Sequence, residues 1–245
     1  VATLNTMGVG AIDPLRAIGG ICQREGVFLH VDAAWAGSAL ILNDYKWMID
    51  GIKIVDSFIF NPHKWMLTNF DCSAHFARDP DTLARTLSIQ PEYLQTKTAT
   101  SADAVIDYRD WSIPLGRRFR ALKLWFVLRS YGVEGLARMI ADHISWATEL
   151  AELVNSAPDF EIAAARNIAL FNFRYQPSDM INEAAVDALN ETLLNAINDD
   201  GRIYLTLNRV RGRCVIRFCA GQTTTTQSHV LSAWDVIQKI AHSLD

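Results

Sequence analysis

The segment Asn61-Pro62-His63-Lys64-Trp65 sets a lysine directly after an apolar run and beside a tryptophan. A lysine buried in such surroundings has its pKa lowered and becomes a nucleophile. Its amine can then condense with an aldehyde cofactor to an imine. A solvated lysine on a surface turn satisfies the same spacing. Upstream, Asp32 ends the apolar run 27–31 and is followed by Ala33, Ala34, Ala36 and Gly37, small residues that let a flat group approach the backbone. A carboxylate there needs a positive partner, and a protonated pyridine nitrogen is one. At about 4 Å and an effective dielectric of about 20, such a pair is worth on the order of 4 kcal/mol, or roughly three pKa units. That would hold the ring cationic and make it an electron sink. An aspartate capping the following turn is the alternative.

Other reactive side chains are less informative. Cys22, Cys72, Cys214 and Cys219 form neither a CxxC pair nor a zinc-site spacing and read as reduced, buried thiols, so no metal is expected. His30 alternates with the core face of its strand, and His75, His143, His229 and His242 lack ligand-like neighbours and read as structural or solvated. Tryptophans such as Trp111, Trp125 and Trp234 are expected in the core. Arg117, Arg118 and Arg120 could form an anion site or cap a domain junction at a helix start.

The elements that must position Lys64 and Asp32 follow from periodicity. Asp13-Pro14 ahead of Leu15, Ile18, Ile21 and Cys22, with Gly26 behind, predicts a helix with an N-cap, a first-position proline and a C-terminal glycine. Strands at 1–4 and 27–31 flank it. The continuous apolar run 27–31 predicts a strand covered on both faces and a parallel sheet. Further strands are expected at 57–61 and 72–76. In such open α/β sheets ligands sit at the carboxyl ends of strands, where Asp32 and the Lys64 turn both fall. Residues 78–110 turn polar, with a stretch at 95–103 that no periodicity organises, as a functional or a disordered loop would be. A helix from Gly116 to about Gly132 and a second from Val133 to about Asn155 follow. Beyond Pro158 the order reads strand, strand, helix, hairpin (203–207 with 214–218), helix, a small α+β unit. Residues 1–121 and 122–245 are therefore expected to be two domains.

Half of the 245 residues are apolar, as an ordered globular protein requires, and the net charge is −4. Basic residues are scattered, which argues against a nucleic-acid or anionic-membrane partner, and no apolar run is long enough to span a bilayer. A cytoplasmic place is expected. Val1-Ala2-Thr3-Leu4 reads as a buried strand with no turn before it, so further structure is expected upstream.

The segments LHVDAAWAGSA (29–39), DSFIFNPHKWMLTNFDCSA (56–74) and DYRDWSIPLGRRFRALKLWFVLRSYGVEGL (107–136) closely resemble the aromatic-L-amino-acid decarboxylase family, within the group II pyridoxal-phosphate decarboxylases. The likeness covers nearly the whole chain and weakens after residue 156. It implies an α/β fold: the C-terminal part of a fold type I, aspartate-aminotransferase-like large domain, followed by a small α+β domain. It implies pyridoxal 5'-phosphate as cofactor, with Lys64 as its Schiff-base lysine, Asp32 on the pyridine nitrogen and Ala34 against the ring. By the same resemblance, Asn61 lies towards the phosphate and His63 is a hydrogen-bonding, catalytic neighbour. In a homodimer, Leu115 and Gly116 would offer backbone amides to the phosphate held by the other subunit. Tyr93 matches the tyrosine of the family's catalytic loop, whose phenol protonates the α-carbon after carbon dioxide leaves.

The resemblance thus implies conversion of an aromatic amino acid to its amine. Phenylalanine at the position of Tyr93 accompanies aldehyde formation in the family, so Tyr93 favours decarboxylation alone. Histidine decarboxylases carry serines where this chain has His63 and Gly116, and glutamate decarboxylases carry methionine in place of Trp65; both remain alternatives, as do a non-catalytic homologue and an inactive, incomplete fragment. One departure stands out. Asn5-Thr6-Met7 replaces the usual Gly-Thr-Thr, so any hydroxyl contact from the position of Met7 to the surroundings of Asp32 is lost.

Overall fold

A computed structural model describes residues 1–88 and 107–244. The expected strand, helix, strand unit is present as β1 (Ala2–Thr3), α1 (Leu15–Glu25) and β2 (His30–Asp32), with β1 and β2 parallel. β3 (Ser57–Phe60) joins β2 in parallel, and β4 (Ala74–Ala77) pairs with β3 in antiparallel, giving the order β1-β2-β3-β4.

α1 stops at Gly26, whose left-handed backbone (φ 63°) turns its N–H onto the Cys22 carbonyl. Asp13 does not cap the helix as expected. Its Oδ2 accepts from the Thr3 N–H at 2.7 Å, binding β1 to the helix start, and Pro14 takes the boundary position. The run 27–31 is also not a strand covered on both faces. Val27 N–H bonds back to Cys22 and Leu29 N–H is taken by the Asp56 carboxylate at 2.8 Å, so the ladder starts only at His30. Val27 and Phe28 are consequently exposed.

Three short 3-10 segments (Ala36–Ile41, Asn43–Ile49, Ile52–Ile54) link β2 to β3. After β3 comes α2 (Pro62–Trp65), a single turn, and after β4 comes α3 (Pro80–Leu87), capped by the Asp79 carboxylate. α4 (Ala121–Ser156) is two helices in one: Gly132 (φ 68°, ψ 169°) interrupts it where a stop is predicted, and the helix resumes at once. Its second arm buries Leu136, Ile140, Ile144, Ala147, Leu150 and Val154 at three- and four-residue steps on one face. In its first arm Leu122, Trp125 and Phe126 are exposed, and so is Trp111; these two tryptophans are surface residues rather than core, unlike the buried Trp234.

The second sheet is antiparallel, in the order β5-β6-β8-β7, from β5 (Phe160–Asn167), β6 (Leu170–Tyr175), β7 (Thr206–Val210) and β8 (Arg213–Cys219). The β7–β8 hairpin turns through Arg211 and Gly212, both at positive φ (52° and 83°), as a two-residue turn of matching twist requires. β6 is buried at every position, and its polar members are paired: Asn172 donates to the Gly8 carbonyl at 3.1 Å, and Arg174 reaches Glu183 and Asp187 at 2.9 and 2.8 Å. α5 (Glu183–Asp200) and α6 (Gln227–Ala241) complete this half, and Thr226 with His229 forms a reciprocal cap on α6.

One contiguous cluster of buried apolar side chains joins Leu4 and Val31 of the first sheet, Ile140 and Leu150 of α4, and Phe171 and Phe173 of the second sheet. Full burial of each such side chain contributes about 1.5–3 kcal/mol. Among the described residues no helix is long and apolar enough to cross a membrane.

Candidate cofactor site

The carboxyl ends of β2 and β3 are fastened to each other by backbone. Ala33 N–H donates to the Ile59 carbonyl at 3.0 Å, and Asn61 N–H donates to the Ala34 carbonyl at 2.9 Å. The loop after Asp32 and the turn carrying Lys64 are therefore neighbours. Gly37 sustains this approach, since a Cβ there would lie 2.3 Å from the Phe60 Cβ. β1 closes the other side, with Leu4 N–H on the Asp32 carbonyl at 2.8 Å.

Asp32 uses one carboxylate oxygen locally. Oδ1 accepts from Ala34 N–H at 2.9 Å, which fixes the plane of the group, and Oδ2 has no partner among the described residues. Asn61 is divided in the same way: Oδ1 accepts from the Ser73 hydroxyl at 2.7 Å, so Nδ2, a pure donor, is left for an anion. His63 places Nδ1 against the backbone of Cys72, 2.6 Å from its carbonyl and 3.0 Å from its N–H, and sets its ring edge-on to Phe70. Only Nε2 remains for a cofactor, which narrows the role expected of His63.

Lys64 is exposed: of the two states its spacing allows, the chain adopts the solvated turn lysine rather than the buried one. The burial in this turn belongs to its neighbours Pro62 and Trp65, because a single helical turn directs successive side chains to different sides. Trp65 is fully buried, stacked on Trp35 at 4.1 Å, and its indole N–H donates to His143 Nδ1 at 3.0 Å. Ser73, Trp35 and His143 were not singled out as site residues by sequence; each acts through a partner distant along the chain.

Leu115 and Gly116 are exposed and precede α4. Tyr93 lies outside the described residues. Two of the three arginines of the cluster are engaged: Arg118 and Arg120 bind the Asp71 carboxylate at 2.6 and 2.8 Å, with Lys123 at 3.9 Å, while Arg117 is exposed; the hydrogen bond from Arg120 leads in holding that carboxyl below its usual range. α4 starts at Ala121, beyond the expected Gly116. In the loop after β1, Asn5 has φ 68°, a left-handed conformation that asparagine tolerates where glycine is the default. Met7 points to solvent, and its carbonyl accepts from Arg217. All four cysteines are free, Cys72 and Cys214 buried and Cys22 and Cys219 partly so. Burial pushes the Cys214 thiol up to about 11, an inert form.

A mainly parallel sheet presenting an amine, an oriented carboxylate and an amide donor at neighbouring strand ends is the arrangement of the fold type I pyridoxal-phosphate enzymes. The donor set fits that cofactor: a reachable amine for its aldehyde, a carboxylate for its ring nitrogen and an N–H donor for its phosphate. The chain belongs to the pyridoxal-dependent decarboxylase family, whose conserved domain matches residues 1–176. It is 45% identical over 243 residues to a phenylacetaldehyde synthase of Arabidopsis thaliana, covering 99% of this chain and 49% of that protein. It is 44% identical over 246 residues to tyrosine decarboxylase 4 of Petroselinum crispum, covering 99% and 48%. A crystal structure of Oryza sativa TDC with PLP and tryptamine superposes with a TM-score of 0.95 at 36% identity, covering 99% of this chain and 50% of that one. The chain thus spans about half the length of the relatives it matches.

Proposed function

We propose that the protein decarboxylates aromatic L-amino acids to their amines and carbon dioxide, with pyridoxal phosphate held on Lys64. The observation that carries this reading is the oriented Asp32 carboxylate, with Oδ2 unengaged among the described residues, beside a turn bearing an exposed lysine, in a chain of the pyridoxal-dependent decarboxylase family. When bound, the cofactor supplies an aldehyde for a Schiff base and a ring that accepts electrons from the α-carbon.

The chain's own residues divide the remaining work. Lys64 would hold the cofactor through its aldehyde, and its exposure leaves the amine within reach of one. Asp32, held by the Ala34 N–H, would meet the ring nitrogen with Oδ2, and the small side chain of Ala34 would leave room for the ring. Asn61 would donate Nδ2 to the phosphate, and His63 would offer Nε2. Leu115 and Gly116 serve the phosphate of the second protomer in a homodimer, in keeping with their exposure here. Tyr93 delivers the proton to the α-carbon. The same reading treats 1–121 and 122–245 as separate domains, each with its own sheet, and places the protein in the cytoplasm.

A second reading, conversion of the amino acid to an aldehyde, is favoured by the likeness to the Arabidopsis synthase. The tyrosine at position 93 weighs against it. Product analysis separates the two: amine and carbon dioxide without ammonia support decarboxylation. For the site itself, borohydride should fix the cofactor to the peptide containing Lys64. A Lys64→Ala protein that still acquires the reduced label would refute the assignment.

A further inference from the structure

His143 lies far along the chain from Lys64, on the buried face of α4, and reads by sequence as an ordinary structural histidine. In the fold it is 1% exposed and accepts the indole N–H of Trp65, the residue next to Lys64, at 3.0 Å through Nδ1. The two rings are nearly coplanar, with centroids 6.4 Å apart, as an in-plane N–H···N bond requires. Trp35, from the loop after Asp32, stacks on a face of Trp65. One indole therefore touches the Asp32 loop through its face and α4 through its edge.

We infer that His143 is a positioning residue for the cofactor lysine, holding the four-residue turn α2 in register through Trp65. The inference rests on the reading of Lys64 given above. A single helical turn cannot set its own geometry, because nucleation fixes several dihedral angles for one backbone bond. α2 must be held from outside. Its ties include the Asn61 N–H on Ala34, the Ser73 hydroxyl on Asn61, the His63 N–H and ring on Cys72, and Trp65. Those at Asn61 and His63 restrain the start of the turn; Trp65 restrains its end, on the far side of Lys64. The indole has only one polar group, and His143 is its partner. Without that bond the ring stack on Trp35 remains but slips and rotates more freely, and the lysine moves with it. As acceptor, Nδ1 must be unprotonated, so the proton of the neutral ring is on Nε2. Burial, which lowers the imidazole pKa, favours that neutral form.

The test compares His143→Leu, His143→Asn and Trp65→Phe in the protein freed of cofactor. Asparagine places Oδ1 about where Nδ1 stands, so it can accept the same N–H. Stopped-flow absorbance on mixing with pyridoxal phosphate gives the capture rate constant, and titration gives the Kd. Ultraviolet resonance Raman reports the indole hydrogen bond directly. Capture should slow, or Kd rise, about tenfold in His143→Leu and Trp65→Phe, equivalent to about 1.4 kcal/mol, with His143→Asn restored to within about threefold of the parent. Unchanged capture in His143→Leu, or His143→Asn behaving like leucine, overturns the inference. Should His143→Leu fail to fold, Trp65→Phe decides, since it retains an aromatic ring against Trp35. Borohydride labelling separates the two levels. If the label maps away from Lys64 in the parent, the cofactor-lysine reading fails and this inference with it. If it maps to Lys64 throughout and capture is unchanged, only the role of His143 fails.

Discussion

Replacing Gly37 by alanine should damage the site while touching none of the residues that would meet a cofactor. Gly37 lies in the 3-10 segment after Asp32, and its added Cβ would stand 2.3 Å from the Cβ and 3.0 Å from the Cγ of Phe60, the last residue of β3. A Cβ is fixed to its backbone, so rotation of the phenyl ring cannot relieve the contact. The loop or the strand end must move back by about 1 Å or more, and overpacking of this kind costs about 1–3 kcal/mol. The same displacement stretches the Asn61 N–H to Ala34 bond, worth about 1 kcal/mol. Lower entropy of the unfolded chain offsets about 0.4–1 kcal/mol. The net loss is about 1–3 kcal/mol, read as a lower urea midpoint by tryptophan fluorescence, together with weaker pyridoxal-phosphate binding, because the Asp32 loop and the Lys64 turn separate. A midpoint within about 0.5 kcal/mol of the parent and unaltered cofactor binding would refute the claim that Gly37 sets their spacing.

The adjacent glycines of α1 should respond in opposite directions. Gly20→Ala meets nothing within 4 Å and should stabilise by about 0.5–1 kcal/mol, whereas Gly19→Ala drives into Ile54 at 2.3 Å and should destabilise; equal shifts in urea midpoint would contradict the packing. Stability should fall as pH drops below about 6.5, the ordinary imidazole value. Burial lowers the folded pKa of both His143 and His30, so the unfolded chain binds the extra protons there; the contribution is complete above about 6.5 and is lost as pH falls through the folded values. Urea midpoints at several pH values should show a shallower decline in His143→Asn, and identical slopes would exclude His143 as a source. In air, Tyr93→Phe should divert product from amine to aldehyde and ammonia, with dioxygen as the oxidant and hydrogen peroxide released, measurable by chromatography with ammonia and peroxide assays, and undiminished amine formation would remove Tyr93 from the proton transfer.

Several parts of the fold were legible because their signals are local. Gly26 and Gly132 mark a helix end and a helix break through backbone conformations that favour glycine. The Arg211-Gly212 turn closes the predicted hairpin, and the strand, helix, strand order of the first unit follows from periodicity. The errors arose where a side chain from elsewhere took over a backbone group. Asp56 claims the Leu29 N–H and shortens β2; Thr3 draws Asp13 away from the helix it was expected to cap.

The candidate site divides along the same line. Sequence alone determined which residues could do chemistry, because Lys64 and Asp32 both follow apolar strand segments and the motifs around them are long. It could not determine their state. That Lys64 is exposed, that His63 spends Nδ1 on Cys72, that Asp71 pairs with Arg118 and Arg120 and that Trp65 meets a histidine 78 residues away were decided only by tertiary structure. The physical reason is range: backbone preference and hydrophobic period act over a few neighbouring residues, while burial and hydrogen-bond partnership depend on which distant surfaces the packed core brings together.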